Sequence, residues 1–506
     1  MKHFVNGLLV LVSILVTAVV AEGATRLIDG LPLLTDWLPN TVDRDVPAKH
    51  LDEIPRAAGV SRAWYFEDPL PLPNRRPVPP EWQASALAVG NPSQTINTAF
   101  RPEDLFKAWN SSYLGAPCDS AFFRQAPGRL NAYDPLDGRP FPRFRFLPNS
   151  TTPLGLVTNE LGWRGRPVEI RRAAKVVRIV FVGASTTVNS HHYPFSYPEF
   201  VGHWLNLWAA ARNLDVRFEA LNAGREGMIS TDIEAIVRTE VVPLRPDLVV
   251  YYEGANQFDM TTMLKSPPAG KVTRLDQVAP ENDLSRWLRA ASNRLALARR
   301  LQAALGLVDN PGKGEEWPKP DYEMVWPADE HDPDLARADL PLNFSTIGRD
   351  LDRIRIELKR IDAELALSSF VWLAYDGMVL DPVRNKFLLE YLNTTRAPFR
   401  YRDIERAAIL QNRMLAKYAK ANGVAFLDVA GFFPKDPELL TDAIHMTYGG
   451  IRLHGWIVLQ ALVPLVEKHL ANGTWPANPP PTAGAPPPGL IFTPRPVAFD
   501  CKNQGR

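Results

Sequence analysis

The chain has 506 residues, of which 45% are hydrophobic, and a formal net charge of +1. Its length exceeds that of one ordinary domain and allows a large buried core. The near-neutral charge excludes the strongly basic surface that is typical of nucleic-acid-binding proteins, so no nucleic-acid partner is predicted. Two cysteines, Cys118 and Cys501, are too few for a disulfide framework or a cysteine metal site. The sequence does not decide whether they pair or remain thiols.

The N-terminal segment, residues 1–22, contains an uncharged run of 18 residues, Phe4–Ala21. This length is at the lower limit for a helix that crosses a bilayer. A cleaved signal peptide is the alternative, because Val19-Val20-Ala21 ends in a small residue. The long apolar run and the single basic residue, Lys2, favour an uncleaved transmembrane anchor. Under both interpretations the remaining chain lies outside the cytoplasm, either membrane-anchored or secreted.

A Pro-rich N-terminal extension, residues 23–174, follows this segment. The dense prolines of Pro69–Pro80 are typical of an extended connector. Short strands are predicted at Phe144–Leu147 and Gly155–Thr158. They lead to the sequence Asn159-Glu160-Leu161-Gly162-Trp163-Arg164-Gly165, called the lead-in motif below. We interpret this motif as an ordered lid or brace on the next domain, although a surface loop fixed by glycines is also compatible with it.

A serine follows the first strongly apolar strand of the chain. Val176–Val182 has the composition of a buried parallel strand, Gly183 permits a turn, and a helix is predicted over Phe195–Asn213. Ser185 therefore lies at the carboxyl edge of a sheet, where open α/β sheets place their ligands. The residue is a candidate nucleophile, although such turns are also common as plain connections.

The next two predicted strands each lead to a candidate hydrogen-bond donor. Val216–Leu221 is followed by a glycine-containing loop in which Gly227 can direct its N–H toward a ligand. Asp247–Tyr252 is followed by Asn256, whose side-chain amide can donate to the same oxygen. Within the first of these loops, Arg225 and Glu226 are interpreted as a solvated pair.

A long insertion, residues 260–368, precedes the fourth predicted strand, Phe370–Tyr375. It contains two amphipathic helical patterns, Trp287–Leu305 and Leu351–Leu365, on either side of the Pro- and acid-rich stretch Asn310–Pro341. Because this insertion begins beside Asn256 at the sheet edge, we interpret it as a lid that selects the substrate.

A carboxylate and an imidazole lie three positions apart near the end of the domain, at Asp442 and His445. At this spacing Asp442 can orient the ring of His445. Asp428, at the end of the fifth predicted strand, Val424–Val429, is the alternative orienting residue. His454 lies farther along the same region, where a surface or core role is expected.

No cofactor is predicted. His191, His192 and His203 lie near the serine, but no carboxylate or histidine spacing completes a metal-binding motif, so a position at the pocket rim or the surface is expected. Asp376, at the end of the fourth predicted strand, has no assigned role. After the main domain, residues 471–506 are rich in proline and are predicted to form an extended tail.

The five predicted strands alternate with helices from residue 175 to residue 470. Such alternation implies an α/β fold with a parallel sheet covered on both faces and connected by right-handed crossovers.

The residues Ser185, Gly227, Asn256 and Asp442/His445 occur in the order of the four motif blocks of the SGNH hydrolases, or GDSL esterases and lipases. The chain resembles that superfamily from about Val176 to about Leu470. The resemblance implies a three-layer α/β/α, flavodoxin-like fold with a five-stranded parallel sheet. It implies Ser185 as nucleophile, His445 as base and Asp442 as orienting residue. The Ser185 and Gly227 N–H groups and the Asn256 amide would form the oxyanion hole.

Two departures from the motifs are visible. Ala184 replaces the acidic residue before the nucleophile, and Gln257 replaces the aspartate after the third-block asparagine. Lead-in motifs similar to the one here precede the serine strand in some extracytoplasmic members of the superfamily. The resemblance thus implies a serine esterase or deacetylase that acts on acyl esters, for example O-acetyl groups of an envelope polysaccharide. An O-acyltransferase to a sugar hydroxyl and a non-catalytic scaffold protein of polysaccharide export are the alternatives.

Overall fold

The computed structural model describes residues 2–28, 48–77, 128–133, 141–151, 156–189, 193–266, 295–304, 321–378, 388–389, 391–477 and 496–499, with single residues at 33, 46, 380, 385 and 490. They fall into two units. The larger contains the sheet predicted above, and the smaller contains the N-terminal helix. Cys118, Cys501, His191 and His192 lie outside the described residues.

The strands, in chain order, are β1 Gly128–Tyr133, β2 Arg145–Phe146, β3 Val176–Gly183, β4 Arg217–Asn222, β5 Leu248–Tyr252, β6 Glu364–Ser368, β7 Ala425–Leu427 and β8 Pro496–Phe499. The α-helices are α1 Lys2–Ile28, α2 Ala48–Asp52, α3 Ser185–Val188, α4 Tyr197–Ala211, α5 Ser230–Ile236, α6 Ala296–Ala304, α7 Phe344–Lys359, α8 Tyr401–Asn422, α9 Val429–Phe432 and α10 Tyr448–Ala471.

The core of the larger unit is a five-stranded sheet with the order β4-β3-β5-β6-β7, in which all neighbours are parallel. Every residue of β3 is buried, as expected for a central strand of a parallel sheet. Helix α4 packs against α10 and β4, and α7 packs against α5 and β6. These elements confirm the predicted α/β class and its five-stranded parallel sheet.

The fourth strand differs from the prediction. The strand is β6, whereas the apolar run Phe370–Tyr375 lies beyond it and pairs with no strand. Its backbone N–H groups are bonded elsewhere: that of Phe370 to the Asn412 side chain (2.7 Å) and that of Leu373 to the Ala443 carbonyl (2.7 Å). The helical pattern that was predicted to reach Leu365 ends earlier, with α7 at Lys359. A fully apolar run thus leaves the sheet to contact the loop that carries His445.

The C-terminal tail and the extension share a second, antiparallel sheet with the order β2-β1-β8. Strand β2 lies within the predicted Phe144–Leu147. Strand β8 belongs to the region predicted as an extended tail, and Ala498 pairs with Arg129.

Residues 48–77 of the extension belong to the larger unit and pack on helix α4 and the lead-in motif. Tyr65 is buried and stacks on Trp204 of α4, with ring centroids 6.1 Å apart. Asn74 is also buried, and its side chain donates to the carbonyls of Thr158 and Gly165, both at 2.9 Å. Asn74 thus ties this segment to the lead-in motif, whereas residues 70, 71, 73 and 75–77 are exposed, so the interpretation of Pro69–Pro80 as an extended connector stays a prediction.

A buried cluster of charged side chains connects the extension to the loop after β4, which contains Arg225. The Glu240 carboxylate accepts from the Trp163 indole (2.9 Å) and pairs with Arg145 (3.0 Å) and with Arg225. Arg225 and Glu226 are both fully buried, so their interpretation as a solvated pair is wrong. The buried guanidinium of Arg225 has its carboxylate partner 15 positions away, and a single sequence does not indicate that pairing.

The smaller unit contains helices α1 and α6 and the segment from Ala374 to Glu405. Glu22 of α1 accepts the backbone N–H groups of Ala296 and Leu297 at the start of α6, both at 2.9 Å, and pairs with Arg26 (2.7 Å). Helix α6 falls within the first helical pattern of the insertion, whose residues from Trp287 to Asn293 are not described.

Two helices of the described chain are long and apolar enough to cross a membrane. In the stretch Val5–Ile28 none of the apolar window is buried, whereas helix α10 is 72% buried. Helix α10 is therefore a core helix of the larger unit, and the N-terminal helix is compatible with a signal anchor.

Glu240→Gln is expected to lower the free energy of unfolding of the larger unit by about 3–5 kcal/mol, because it leaves the buried Arg225 without its carboxylate. Burial raises the pKa of Glu240, but the charges of Arg225 and Arg145 and the hydrogen bonds lower it further, so that it lies below its usual 4.5. The carboxylate therefore contributes stability above about pH 4.5 that is lost as the pH falls through the folded-state pKa. Denaturant unfolding at neutral and acidic pH measures both effects, and the variant should lose less stability on acidification.

Glu357→Gln is the matched control, since Glu357 is only partly buried and pairs with the exposed Arg360 (2.7 Å). Removing such a pair is expected to cost less than about 1 kcal/mol. Equal effects of the two substitutions would contradict a structural role for the buried cluster.

Candidate active site

Ser185 lies directly after the central strand. Strand β3 ends at Gly183, and Ser185 is the first residue of the short helix α3. A side chain at Gly183 would overlap the Thr187 hydroxyl and the Tyr252 carbonyl, so only glycine fits this turn. Ser185 is 7% exposed at the carboxyl edge of the sheet.

The serine, the histidine and the aspartate form a continuous hydrogen-bonded chain. The Ser185 Oγ lies 2.7 Å from His445 Nε2, and His445 Nδ1 lies 2.8 Å from Asp442 Oδ2. The other Asp442 oxygen accepts the backbone N–H groups of Ile444 (2.8 Å) and His445 (2.7 Å). Asp442 is fully buried and His445 is 7% exposed. This is the geometry of a nucleophile, its base and an orienting carboxylate.

Asp442 and His445 belong to a tight loop rather than a helix. The loop is closed by the N–H of Thr441, which donates to the His445 carbonyl (2.7 Å), and by the bridge between Leu440 and Met446. Helix α10 starts two residues after Met446. The spacing of three therefore brings the carboxylate to the ring through a turn.

Gly227 and Asn256 also lie close together. The Asn256 Nδ2 donates to the Met228 carbonyl (2.9 Å), which fixes the amide beside Gly227. Gly227 has a φ of +67°, the left-handed region that favours glycine. Neither the Ser185 N–H nor the Gly227 N–H has an acceptor within the described part of the chain. The Glu253 carboxylate fixes the Asn256 turn by accepting its N–H (2.7 Å).

The loops after β3, β4 and β5 contact one another at this edge. The Thr187 hydroxyl donates to the Tyr252 carbonyl (3.1 Å), which joins the first loop to β5. The Arg225 N–H donates to the Gly183 carbonyl (3.3 Å), which joins the second loop to β3. Gly224 approaches the backbone of Val188 so closely that a Cβ would lie 2.7 Å from its nitrogen.

The lead-in motif holds the segment after Ser185. Buried Arg164 donates to the carbonyls of Asn189 and Tyr193 (3.0 Å for the latter) and pairs with Glu199 of α4 (3.2 Å). Asn159 folds the motif itself, since its Oδ1 accepts the N–H groups of Leu161 and Trp163, both at 3.0 Å. These contacts support the interpretation of the motif as a brace. The carbonyl acceptors of Arg164 could not be predicted from the sequence, because every residue type has a backbone carbonyl.

The remaining candidates lie apart from this chain of hydrogen bonds. Asp428 caps helix α9 by accepting the Gly431 N–H (3.1 Å) and contacts the Ser369 hydroxyl (3.0 Å), so it is not the orienting residue. His454 is in the core between the rings of Tyr197 and Tyr252, with centroids 4.2 and 4.6 Å away, and burial lowers its pKa to about 3.

Among the described side chains, no group of three or more histidine, cysteine or acidic residues could hold a metal ion. His203 is half-buried on α4, and burial lowers its pKa despite the opposing charges of Glu67 and Asp68. Asp376 is exposed.

No protein-family model matches the sequence, and no curated protein matches it. Solved structures with a similar arrangement include a GDSL-like lipase from Bacteroides thetaiotaomicron, with 14% identity and a TM-score of 0.29 over 58% of this chain and 92% of the lipase. An acetyl xylan esterase from Geobacillus stearothermophilus has 14% identity and a TM-score of 0.32 over 58% of this chain and 97% of the esterase. A putative acylhydrolase from Bacteroides fragilis has 14% identity and a TM-score of 0.28 over 57% and 88%. These scores are too low to assign an activity to this chain.

Proposed function

We propose that the chain is a serine esterase or deacetylase of the SGNH type. The observation that carries this proposal is the hydrogen-bonded chain from the Ser185 hydroxyl through His445 to the buried Asp442. A structural serine has no need of an imidazole at 2.7 Å whose other nitrogen is held by a carboxylate. The presence of all three groups, in hydrogen-bond contact with one another, also argues against a non-catalytic scaffold protein.

The chemistry follows from the positions of these groups. The Ser185 Oγ attacks the ester carbonyl carbon while its proton moves to His445 Nε2, and Asp442 stabilises the imidazolium. The N–H groups of Ser185 and Gly227 and the Asn256 amide hydrogen-bond the oxyanion. Collapse of the tetrahedral intermediate breaks the ester C–O bond, and the alcohol leaves with the proton from His445. Water, deprotonated by His445, then releases the acid from acyl-Ser185.

We further propose that the substrate is an O-acyl group on an extracytoplasmic polysaccharide and that α1 anchors the enzyme in the membrane. The unburied apolar helix α1 supports the anchor. The resemblance of the lead-in motif to that of extracytoplasmic SGNH proteins supports the compartment. Release of free acetate distinguishes hydrolysis from transfer, in which the acetyl group appears on a second sugar hydroxyl.

Ser185→Ala and His445→Ala are each expected to reduce turnover of p-nitrophenyl acetate by about a thousandfold or more, because each removes a member of the proposed catalytic chain. Steady-state rates measure the loss. A fluorophosphonate probe should label wild-type protein at Ser185, as located by peptide mass spectrometry, and should not label Ser185→Ala. His331→Ala is the control, since His331 is an exposed histidine outside this chain of contacts. Undiminished turnover in folded Ser185→Ala would refute the assignment.

Asn256→Ala and the isosteric Asn256→Asp are expected to lower kcat by roughly a hundred- to a thousandfold with little change in KM, because the amide acts mainly on the transition state. Asp retains the size of the side chain but has no N–H donor and adds a negative charge, so its loss should be at least as large as that of Ala; a much smaller loss in Asn256→Asp would show that packing and not the donor is responsible. An effect on KM alone would make Asn256 a substrate contact instead.

The full-length protein is expected to fractionate with membranes and to retain its N-terminus, because burial of about 18 apolar residues suffices to hold a helix in a bilayer. A chain that begins at Gly23 should be soluble and should still react with the fluorophosphonate at Ser185. N-terminal sequencing of the protein in both fractions is the measurement. Recovery of soluble extracytoplasmic protein that starts near Glu22 would show cleavage and would contradict the anchor.

A further inference from the structure

Arg143 of the N-terminal extension contacts the loop that carries Gly227. Its Nη2 donates to the Gly227 carbonyl. Its backbone N–H and its Nε each donate to a different oxygen of Asp232, both at 3.0 Å. The Arg143 side chain is 44% exposed, whereas the Asp232 carboxylate is fully buried. Arg143 thus joins a segment outside the sheet to the first turn of α5.

The loop from Gly227 to Ser230 is held at every residue. Beside the contact of Arg143 with Gly227, the Met228 carbonyl accepts from Asn256 (2.9 Å). The Ile229 N–H donates to Asp232 (3.1 Å), and the Ser230 N–H donates to the Gln257 side chain (2.8 Å). Of these contacts, only that of Arg143 fixes the carbonyl of the glycine itself.

Gly227 needs this contact more than its neighbours do. It has a φ of +67° and no side chain, so the two peptide planes beside it rotate at low cost. Rotation of these planes turns the Gly227 N–H away from a developing oxyanion. A donor contributes to catalysis only when it already points to the position that the charge will occupy.

We propose that Arg143 is a positioning residue of the oxyanion hole: by fixing the Gly227 carbonyl and the Asp232 carboxylate together, it holds the peptide plane that follows Gly227 and so limits the backbone rotations at Gly227 that would turn its N–H, in the preceding plane, away from the oxyanion. This inference rests on the proposed serine esterase function. It also gives the N-terminal extension a part in the reaction, because Arg143 lies in residues 23–174 of the sequence, before the region that contains Ser185, Asp442 and His445.

The variants Arg143→Ala, Arg143→Gln and Arg143→Lys test the proposal on the full chain. We expect Arg143→Ala to lower kcat about 10- to 100-fold with KM unchanged, since a small displacement of a donor weakens transition-state binding without removing it. Arg143→Lys, which can still donate to the carbonyl, should recover part of this loss. Affinity for an alkyl trifluoromethyl ketone, whose adduct with Ser185 carries an oxyanion, should fall in parallel with kcat.

Arg238→Ala is the matched control. Arg238 is 42% exposed and pairs with Glu234 (3.0 Å) just after the same loop, but it does not contact Gly227. Its removal should leave kcat and the affinity for the ketone unchanged. Thermal unfolding of all variants shows whether a lost rate reflects lost folded protein.

Three results would overturn the proposal. A rise in KM alone would make Arg143 a substrate contact, and an unchanged kcat in Arg143→Ala would show that its pair with Asp232 has no role in the reaction. A loss of rate that follows only the folded fraction, equally in the Ala, Gln and Lys variants, would show a structural role. Labelling of the wild type by the fluorophosphonate separates these results from failure of the proposed function, because a chain that is not labelled has no activated serine for Arg143 to serve.

Discussion

This structure depends on hydrogen bonds from arginine side chains to backbone carbonyl groups near the sheet. The loops at the carboxyl edge of a parallel sheet leave carbonyl groups without partners, and a buried carbonyl needs a donor. Arg164 supplies donors to Asn189 and Tyr193, and Arg143 supplies one to Gly227. At the opposite end of β3, fully buried Arg178 donates to the carbonyls of Leu244 (2.8 Å) and Glu169 (2.6 Å). A planar guanidinium with five donors suits this task better than an ammonium group.

Each of these arginines also has a carboxylate, and this limits the cost of burying its charge. Arg164 pairs with Glu199, Arg178 with Glu219 (3.0 Å), and Arg143 with Asp232 (2.9 Å). Burial of an unpaired charge costs several kcal/mol, whereas a paired and hydrogen-bonded charge is tolerated. The carboxylates come from helices and strands of the sheet unit, and most of the arginines come from outside its regular elements. The extension is thereby fixed to the framework by directed contacts in addition to apolar packing.

The sequence predicted those parts of the structure that residue type and order reveal. Buried β-branched runs predicted β3, β4, β5 and β7 to within a few residues, and the order of the motifs placed Ser185 and His445 at one edge. The prediction of the fourth strand was wrong because Glu364–Ser368 continues the apolar pattern of the preceding helix. The run Phe370–Tyr375 is more apolar than the actual strand. Helix α7 and β6 consequently belong to the α/β framework, although both fall within the predicted insertion. Arg143 could not be predicted, because its acceptor is a backbone carbonyl and its carboxylate partner is 89 positions away.

One of the two departures from the motifs, Gln257, has a definite role in these contacts. The other, Ala184, is 1% exposed, and an acidic side chain there would be buried beside the turn at Gly183 and would need a partner. Gln257 accepts the Ser230 N–H, one of the donors that the start of a helix leaves without an intrahelical partner. Glutamine extends one bond farther than aspartate and satisfies that donor without a charge. Asp350 of α7 meanwhile accepts the Ser230 and Thr231 hydroxyls, both at 2.7 Å. Gln257 and Asp350 thus hold the start of α5, directly after the loop that contains Gly227, and neither is one of the proposed reacting groups.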